Sequence, residues 1–340
     1  MTLSNEWPIH QYHYMPASSS FIEMMRGALK VVQQCAAVKP GEKVVISTDT
    51  NKLRIAEVLA AATAGVGGIP IVVMIPPTGA HGAQLPLPVT AAVRESDVFF
   101  LPATYSQTHT DARIQAIKAG ARGCTMCEIT EDCLCGSTVT ADYEELDRLG
   151  RRIGAILSGA HEVRITTPRG TQIRAMVEGR PVQYETGLFR ERGQFAAFPD
   201  SEINISPIEG TAEGKAVIDV RIMNVGVVRT EPVTCHFKDG ELVRAEGGRY
   251  AEQFWDMMEG YGDRTAFNVA EFAIGLNHLG RLYGSNLEDL GRLGNFHIGL
   301  GSNYAIGGKV KAPCHVDIIG RHASFEFDGK LVLRDQEVLL

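Results

Sequence analysis

Residues 43–75 read KVVISTDTNKLRIAEVLAAATAGVGGIPIVVMI, and the fold is decided there. Lys43 to Thr48 is a short β-branched run that follows the turn at Pro40-Gly41. Leu53 to Ala64 is alanine-rich and helical in pattern, stopped by Gly65 and the pair Gly67-Gly68. Ile69 to Ile75 is again an apolar strand, closed by Pro76-Pro77. Working outward, Val89 to Glu95 reads as helix, Val98 to Ala103 as buried strand, Asp111 to Lys118 as helix and Arg122 to Ile129 as strand. Strands without a polar face, alternating with helices, predict a parallel sheet covered on both faces. A helix over Glu144 to Ser158 leads into the rest of the chain.

Beyond residue 160 the texture changes. Glu162 to Thr167 and Gln172 to Val177 alternate around the turn Pro168-Arg169-Gly170, which is a hairpin pattern. Short strands follow at Gly214 to Val220, Pro232 to Phe237 and Glu241 to Glu246, then one helix at Tyr250 to Met258. Ala323 to Phe327 and Leu331 to Leu333 flank the turn Asp328-Gly329. The expectation is therefore an α/β N-terminal domain with a parallel sheet over residues 1–158. An α+β C-terminal domain rich in antiparallel strands, carrying a metal site, is expected over residues 159–340.

Composition narrows the function classes. In 340 residues, 44% are hydrophobic and 21% charged, as in ordinary globular proteins. A net charge of −7 with no long basic run excludes a nucleic-acid partner held through phosphates. No apolar stretch is long enough to cross a bilayer, and Met1 to Pro8 lacks the order of a secretory signal, so a cytoplasmic location is expected. Seven cysteines make a disulfide framework improbable in such a chain. Cys124, Cys127, Cys133 and Cys135 cluster, but their pairs are too close together for a usual zinc knuckle and read as apolar thiols. His10 and His13, beside Tyr12 and Tyr14, receive no role.

The chemistry concentrates near the C-terminus. In Cys314-His315-Val316-Asp317-Ile318, a strand would project His315 and Asp317 together and turn Val316 and Ile318 to a core. A co-facial imidazole and carboxylate are half of a metal site. Glu271 lies in the apolar run Ala270-Glu271-Phe272-Ala273-Ile274, where a buried carboxylate needs a cation or hydrogen-bond partner. His297 is flanked by Phe296 and Ile298, and Glu202 leads into the apolar Ile203-Asn204-Ile205.

These fragments resemble, in order, the motifs of the aminopeptidase T family of dinuclear metallopeptidases. The resemblance runs through Pro199 to Gly214 (PDSEINISPIEGTAEG), Val269 to Asn277 (VAEFAIGLN), Phe296 to Tyr304 (FHIGLGSNY) and Cys314 to Ile318. It implies that Glu202, Glu271, His297, His315 and Asp317 are metal ligands, that Tyr304 lies beside the metals, and that the chain forms a homodimer. A second resemblance, through Gly294-Asn295-Phe296 and Gly307 to Ile318 (GGKVKAPCHVDI), is to the 2,5-dihydroxypyridine 5,6-dioxygenases, mononuclear iron enzymes of the same fold. Their iron site has two histidines and one carboxylate, with a histidine where this chain has Glu271.

Ligand chemistry separates the two readings. An acid-rich set suits a pair of divalent cations (zinc, cobalt, manganese or iron) that activate water. That favours a hydrolase acting on an amide or peptide bond of a small molecule or short peptide. Glu202 would then complete the coordination or take the proton of the attacking water, while Tyr304, Lys309 and Lys311 would stabilise the oxyanion or hold a substrate carboxylate. The alternative is a non-haem Fe(II) ring-opening dioxygenase with iron on Glu271, His315 and Asp317, and with His109 or His297 as acid–base groups. A third class, an inactive binding protein of the same fold, would leave a ligand position replaced, and none is.

Overall fold

The computed structural model describes residues 17–340, so His10 and His13 lie outside the described residues. After the helical stretch Ala17–Leu29 and Lys30–Cys35 come four parallel strands: β1 (Lys43–Asp49), β2 (Ile69–Ile75), β3 (Val98–Ala103) and β4 (Arg122–Cys127). The sheet order is β2-β1-β3-β4, so the strand order reverses beside β1. Helices Leu53–Gly65, Leu87–Arg94 and Asp111–Ala119 connect the strands. Leu53–Gly65 turns Ile55, Ala56, Val58, Leu59 and Ala62 into a core shared with Val44, Ile46 and Phe100.

Strands β1 and β3 are buried almost throughout, as fully apolar strands require. Strand β2 departs from that expectation. Among the described residues it has no neighbour on its outer side, where much of its apolar surface is left uncovered. Apolarity on both faces marks a strand's composition and not its place in the sheet, so a central and an edge strand read alike. A fifth strand, Phe195–Ala197, pairs in parallel with β4 (Gly123 opposite Phe195) although it lies far along the chain.

Two largely antiparallel sheets follow. One has eight strands and includes Glu162–Thr166, Gln172–Met176, Val233–Lys238 and Ser324–Phe327. The other has seven and contains, side by side, His315–Arg321, Asn295–Gly301, Val269–Gly275, Glu202–Ile205 and Val182–Glu185. Their facing sides form one core: Ile165, Ile173, Ile218 and Phe325 meet Ile203, Phe272, Phe296, Ile298, Val316 and Ile318. Alternation then sends Glu202, Glu271, His297, His315 and Asp317 to the opposite face of the seven-stranded sheet.

Helix Tyr143–Leu157 starts at Asp142, whose carboxylate accepts the Glu144 amide. It crosses the strands that bear Glu185 and Glu202. A Cβ on Gly154 would fall 2.5 Å from the Tyr184 ring and hydroxyl, so glycine permits this close approach. Among the described residues, no helix is long and apolar enough to cross a membrane.

Candidate metal centre

Register assembles the site. Glu271, Gly299 and Asp317 stand opposite one another across three adjacent strands, and Ala273, His297 and Ile319 form the next row. Gly301 faces His315, and Gly275 faces Glu202. Small residues thus separate the large polar ones, leaving space in which side chains from neighbouring rows can meet.

They meet closely. His315 Nε2 lies 2.9 Å from Glu271 Oε2 and 3.3 Å from Asp317 Oδ1. His297 Nε2 lies 3.5 Å from Glu271 Oε1, and its Nδ1 lies 3.4 Å from Glu202 Oε2. Glu271 therefore turns one oxygen to each histidine. Two donor groups result, Glu271 with His315 and Asp317, and Glu202 with Glu271 and His297; within each, the atoms lie within 4.8 Å of one another. Sequence reasoning missed a third group, in which Glu185 and Asp200 join Glu202. Glu185 stands opposite Glu202 in the strand pair, and only that cross-strand register, invisible in the sequence, brings it in.

The remaining contacts favour a cation. His315 Nδ1 is 2.9 Å from the Ser302 carbonyl; donating its proton there leaves Nε2 with a free lone pair toward the carboxylates. Buried Glu202 Oε2, His297 Nδ1 and Asp317 Oδ1 have no hydrogen-bond partner. Buried acceptors left in this way cost about 1–3 kcal/mol each, more for charged groups; a divalent ion held by Glu271, His315 and Asp317 would satisfy Asp317 Oδ1, and one held by Glu202, Glu271 and His297 would satisfy Glu202 Oε2.

The electrostatics agree. Burial pushes Glu202 up to about 8. Burial, reinforced by the charge of Glu271, pushes Glu185 up to about 7. Burial also opposes charge on Glu271 and His297. For Glu271 the two imidazoles prevail and hold it well below the usual carboxylate range. For His297 the surrounding carboxylates, Glu202 foremost, prevail and raise it to about 10.

The other expected residues lie on the chain that leads into His315 and on the loop after β3. Tyr304 is 58% exposed, with the Lys311 ammonium 4.1 Å from its ring centroid. Lys309 is exposed and uses its backbone amide to bind Glu209. All three lie on the segment between Ser302 and His315. His109, on the loop after β3, is close enough for the charge of His315 to act on it. That loop is anchored at its base by Asp49, which accepts the Thr104 amide (2.6 Å), the Thr104 hydroxyl (3.1 Å) and the Asn51 amide (2.9 Å).

The family profile described as NicX, 2,5-dihydroxypyridine 5,6-dioxygenase, matches residues 23–339, nearly the whole described chain. The chain belongs to the 2,5-dihydroxypyridine 5,6-dioxygenase family. It is 27% identical over 195 residues to the 2,5-dihydroxypyridine 5,6-dioxygenase of Pseudomonas putida KT2440, an alignment covering 54% of this chain and 56% of that protein. The chain thus matches about half the length of this curated relative in sequence. In structure it is similar to the 2,5-dihydroxypyridine dioxygenase of the same organism, with a TM-score of 0.78, 20% identity and coverage of 96% of this chain and 98% of that one. AmpT from Thermus thermophilus shares the fold at a TM-score of 0.70 and 14% identity, with 94% and 99% of the two chains covered.

Both resemblances read from the sequence are therefore real. The preference between them is corrected: membership of the 2,5-dihydroxypyridine 5,6-dioxygenase family overturns the hydrolase reading, and the aminopeptidase relation is one of fold. The acid-rich donor set misled because a ligand inventory alone reports which cations fit and not which reaction follows.

Proposed function

We propose that this chain is a non-haem Fe(II) dioxygenase that opens the ring of a dihydroxylated N-heterocycle of the 2,5-dihydroxypyridine kind. The observation that carries the reading is the convergence of Glu271, His315 and Asp317 in a chain of this family. One imidazole and two carboxylates are hard donors that suit a divalent first-row metal, with Glu271 in place of the more usual second histidine. Iron(II) held there supplies the activation of dioxygen that ring opening requires.

The chain's own residues supply proton handling. His297 lies outside the iron-binding trio, between Glu202 and Glu271, whose carboxylates raise it in the metal-free chain, so it can hold a proton beside the site. His109 is pushed the other way, below the ordinary imidazole value, by partial burial and by the nearby positive Arg113. It is thus neutral near pH 7 and can accept a proton from a substrate hydroxyl. Two imidazoles with opposed shifts divide acid and base roles between them.

The test is anaerobic loading with Fe(II), metal analysis, and an oxygen-electrode assay with 2,5-dihydroxypyridine. The expected result is uptake of one dioxygen per substrate, with loss of the ring's ultraviolet absorption. Iron-loaded protein that consumes no oxygen with any dihydroxypyridine isomer would overturn the reading.

A further inference from the structure

The segment between strands Asn295–Gly301 and His315–Arg321 folds back on itself before it delivers His315. At its base the Ser302 amide donates to the Cys314 carbonyl (2.9 Å), and the Ser302 carbonyl lies 2.9 Å from His315 Nδ1. That carbonyl and the amide of Asn303 belong to one planar peptide unit, so turning either turns the other. The Asn303 amide in turn donates to the Val310 carbonyl (3.2 Å). Whatever holds Asn303 therefore aims the oxygen that meets the imidazole.

Asn303 is held at every polar atom. It is fully buried, and its side-chain NH2 donates to Ser206 Oγ (3.0 Å) and Glu209 Oε1 (2.9 Å). Its Oδ1 accepts the Val310 amide (2.9 Å), and its carbonyl accepts the amides of Gly308 (2.9 Å) and Ile306 (3.1 Å). Glu209 widens the grip. Its Oε1 also accepts the Lys309 amide (2.8 Å), and its Oε2 pairs with Arg180, whose guanidinium donates to the Gly307 carbonyl. A buried amide matched at both ends keeps one orientation, because rotating it would strand a donor or an acceptor.

We propose that Asn303 is a positioning residue for the metal centre: gripped by Ser206, Glu209 and Val310, it fixes the Ser302 carbonyl that takes the Nδ1 proton of His315. The Nε2 lone pair of His315 is then aimed at the ion. A metal-bound imidazole is oriented by the group that its other nitrogen meets. Here that group is a backbone oxygen, which no side chain at position 302 can replace, so the chain sets it from the next residue. The proposal rests on His315 binding the ion and not on the ring-opening reaction.

Zinc(II) is the probe, since it is diamagnetic and leaves the imidazole N–H visible by NMR of histidine-labelled full chain. The zinc-loaded wild type should show a slowly exchanging His315 Nδ1–H, identified by its loss in His315→Gln. Asn303→Asp sets a carboxylate against Glu209; it should weaken zinc binding roughly 10-fold, as a lost outer partner does, and abolish the slow signal. Gly308→Ala reaches the same residue from the other side, because its Cβ would fall 1.9 Å from Asn303 Cγ, and should act likewise. Adding Glu209→Gln to Asn303→Asp restores a donor–acceptor pair of the same length and should recover most of the affinity and the signal. A wild type that binds no zinc would sink the metal site and this proposal together. Zinc-binding wild type whose single variants keep both affinity and signal, or a double variant no better than Asn303→Asp, would overturn the proposal alone.

Discussion

Gly299 and His315 stand so close that one carbon added to the glycine would lie 2.8 Å from the imidazole Nε2, and equally close to Glu271 Cβ. The glycine thus keeps clear the row in which Glu271 and Asp317 face each other. Gly299→Ala should displace His315 or Glu271 and weaken divalent-metal binding by at least about 10-fold, the lower end of what disturbed ligand positioning costs. Isothermal titration with Mn(II) or anaerobic Fe(II) measures it. Gly159→Ala is the control, since a Cβ there meets nothing nearer than 3.8 Å. Equal affinities for both variants would sink the idea.

Glu271 presents one oxygen to each histidine, so its charge serves both donor groups. Glu271→Gln keeps the shape and removes that charge. Metal retained after dialysis should fall by more than the roughly 10–100-fold typical of an outer-shell partner. Circular dichroism should stay that of the wild type. Full metal content in the variant would show that Glu271 is no ligand.

Site charges also set a pH dependence for the chain stripped of metal by chelation. Glu202 is raised to about 8, so its contribution to stability is present below the ordinary carboxylate range and is lost as pH climbs through 8. His297 is raised to about 10, so its contribution is present below the ordinary imidazole value and is lost as pH climbs through 10. Both point the same way, and the metal-free midpoint of thermal unfolding should fall as pH rises from 6 toward about 10. Metal binding requires deprotonated donors, so saturating Mn(II) should stabilise more at pH 8.5 than at pH 6.5. Differential scanning fluorimetry at matched ionic strength reads both trends, and a flat metal-free profile counts against the assignment.

Asp49 touches no donor group, yet it anchors the loop that brings His109 toward the site. Asp49→Asn sets an amide NH2 against backbone donors and should loosen that loop. The expected outcome is unchanged metal content with kcat lowered about 10- to 100-fold, as for a misplaced acid–base group. In a His109→Ala background the same substitution should cost little more. Additive losses in the double variant would separate Asp49 from His109.

How far the sequence carries is seen in particular residues. The strands Ile69–Ile75 and Val98–Ala103 could be placed to the residue because proline, glycine and charge bound each apolar run sharply. His315 and Asp317 could be paired because strand alternation is a local rule. What stayed hidden was non-local. Nothing in the local pattern of β2 says that it is an edge, and nothing near Glu185 says that Glu202 lies opposite. Tyr304 was placed beside the metals by its family motif, and Lys309 and Lys311 were read in as cations for the substrate; all three are exposed. The reaction itself followed from family membership, since the same donors serve water and dioxygen alike.

The strand Phe195–Ala197, which completes the first sheet, and the strand that begins at Glu202 are joined by residues 198–201 alone. The polypeptide thus returns to its opening sheet immediately before delivering the Glu202 carboxylate to the candidate metal centre. A gene fusion or crossover placed after helix Tyr143–Leu157 would tear the outermost strand from one partner and carry it off with the other. Exchanging the two halves at that point would therefore leave the opening sheet without its outer strand next to β4.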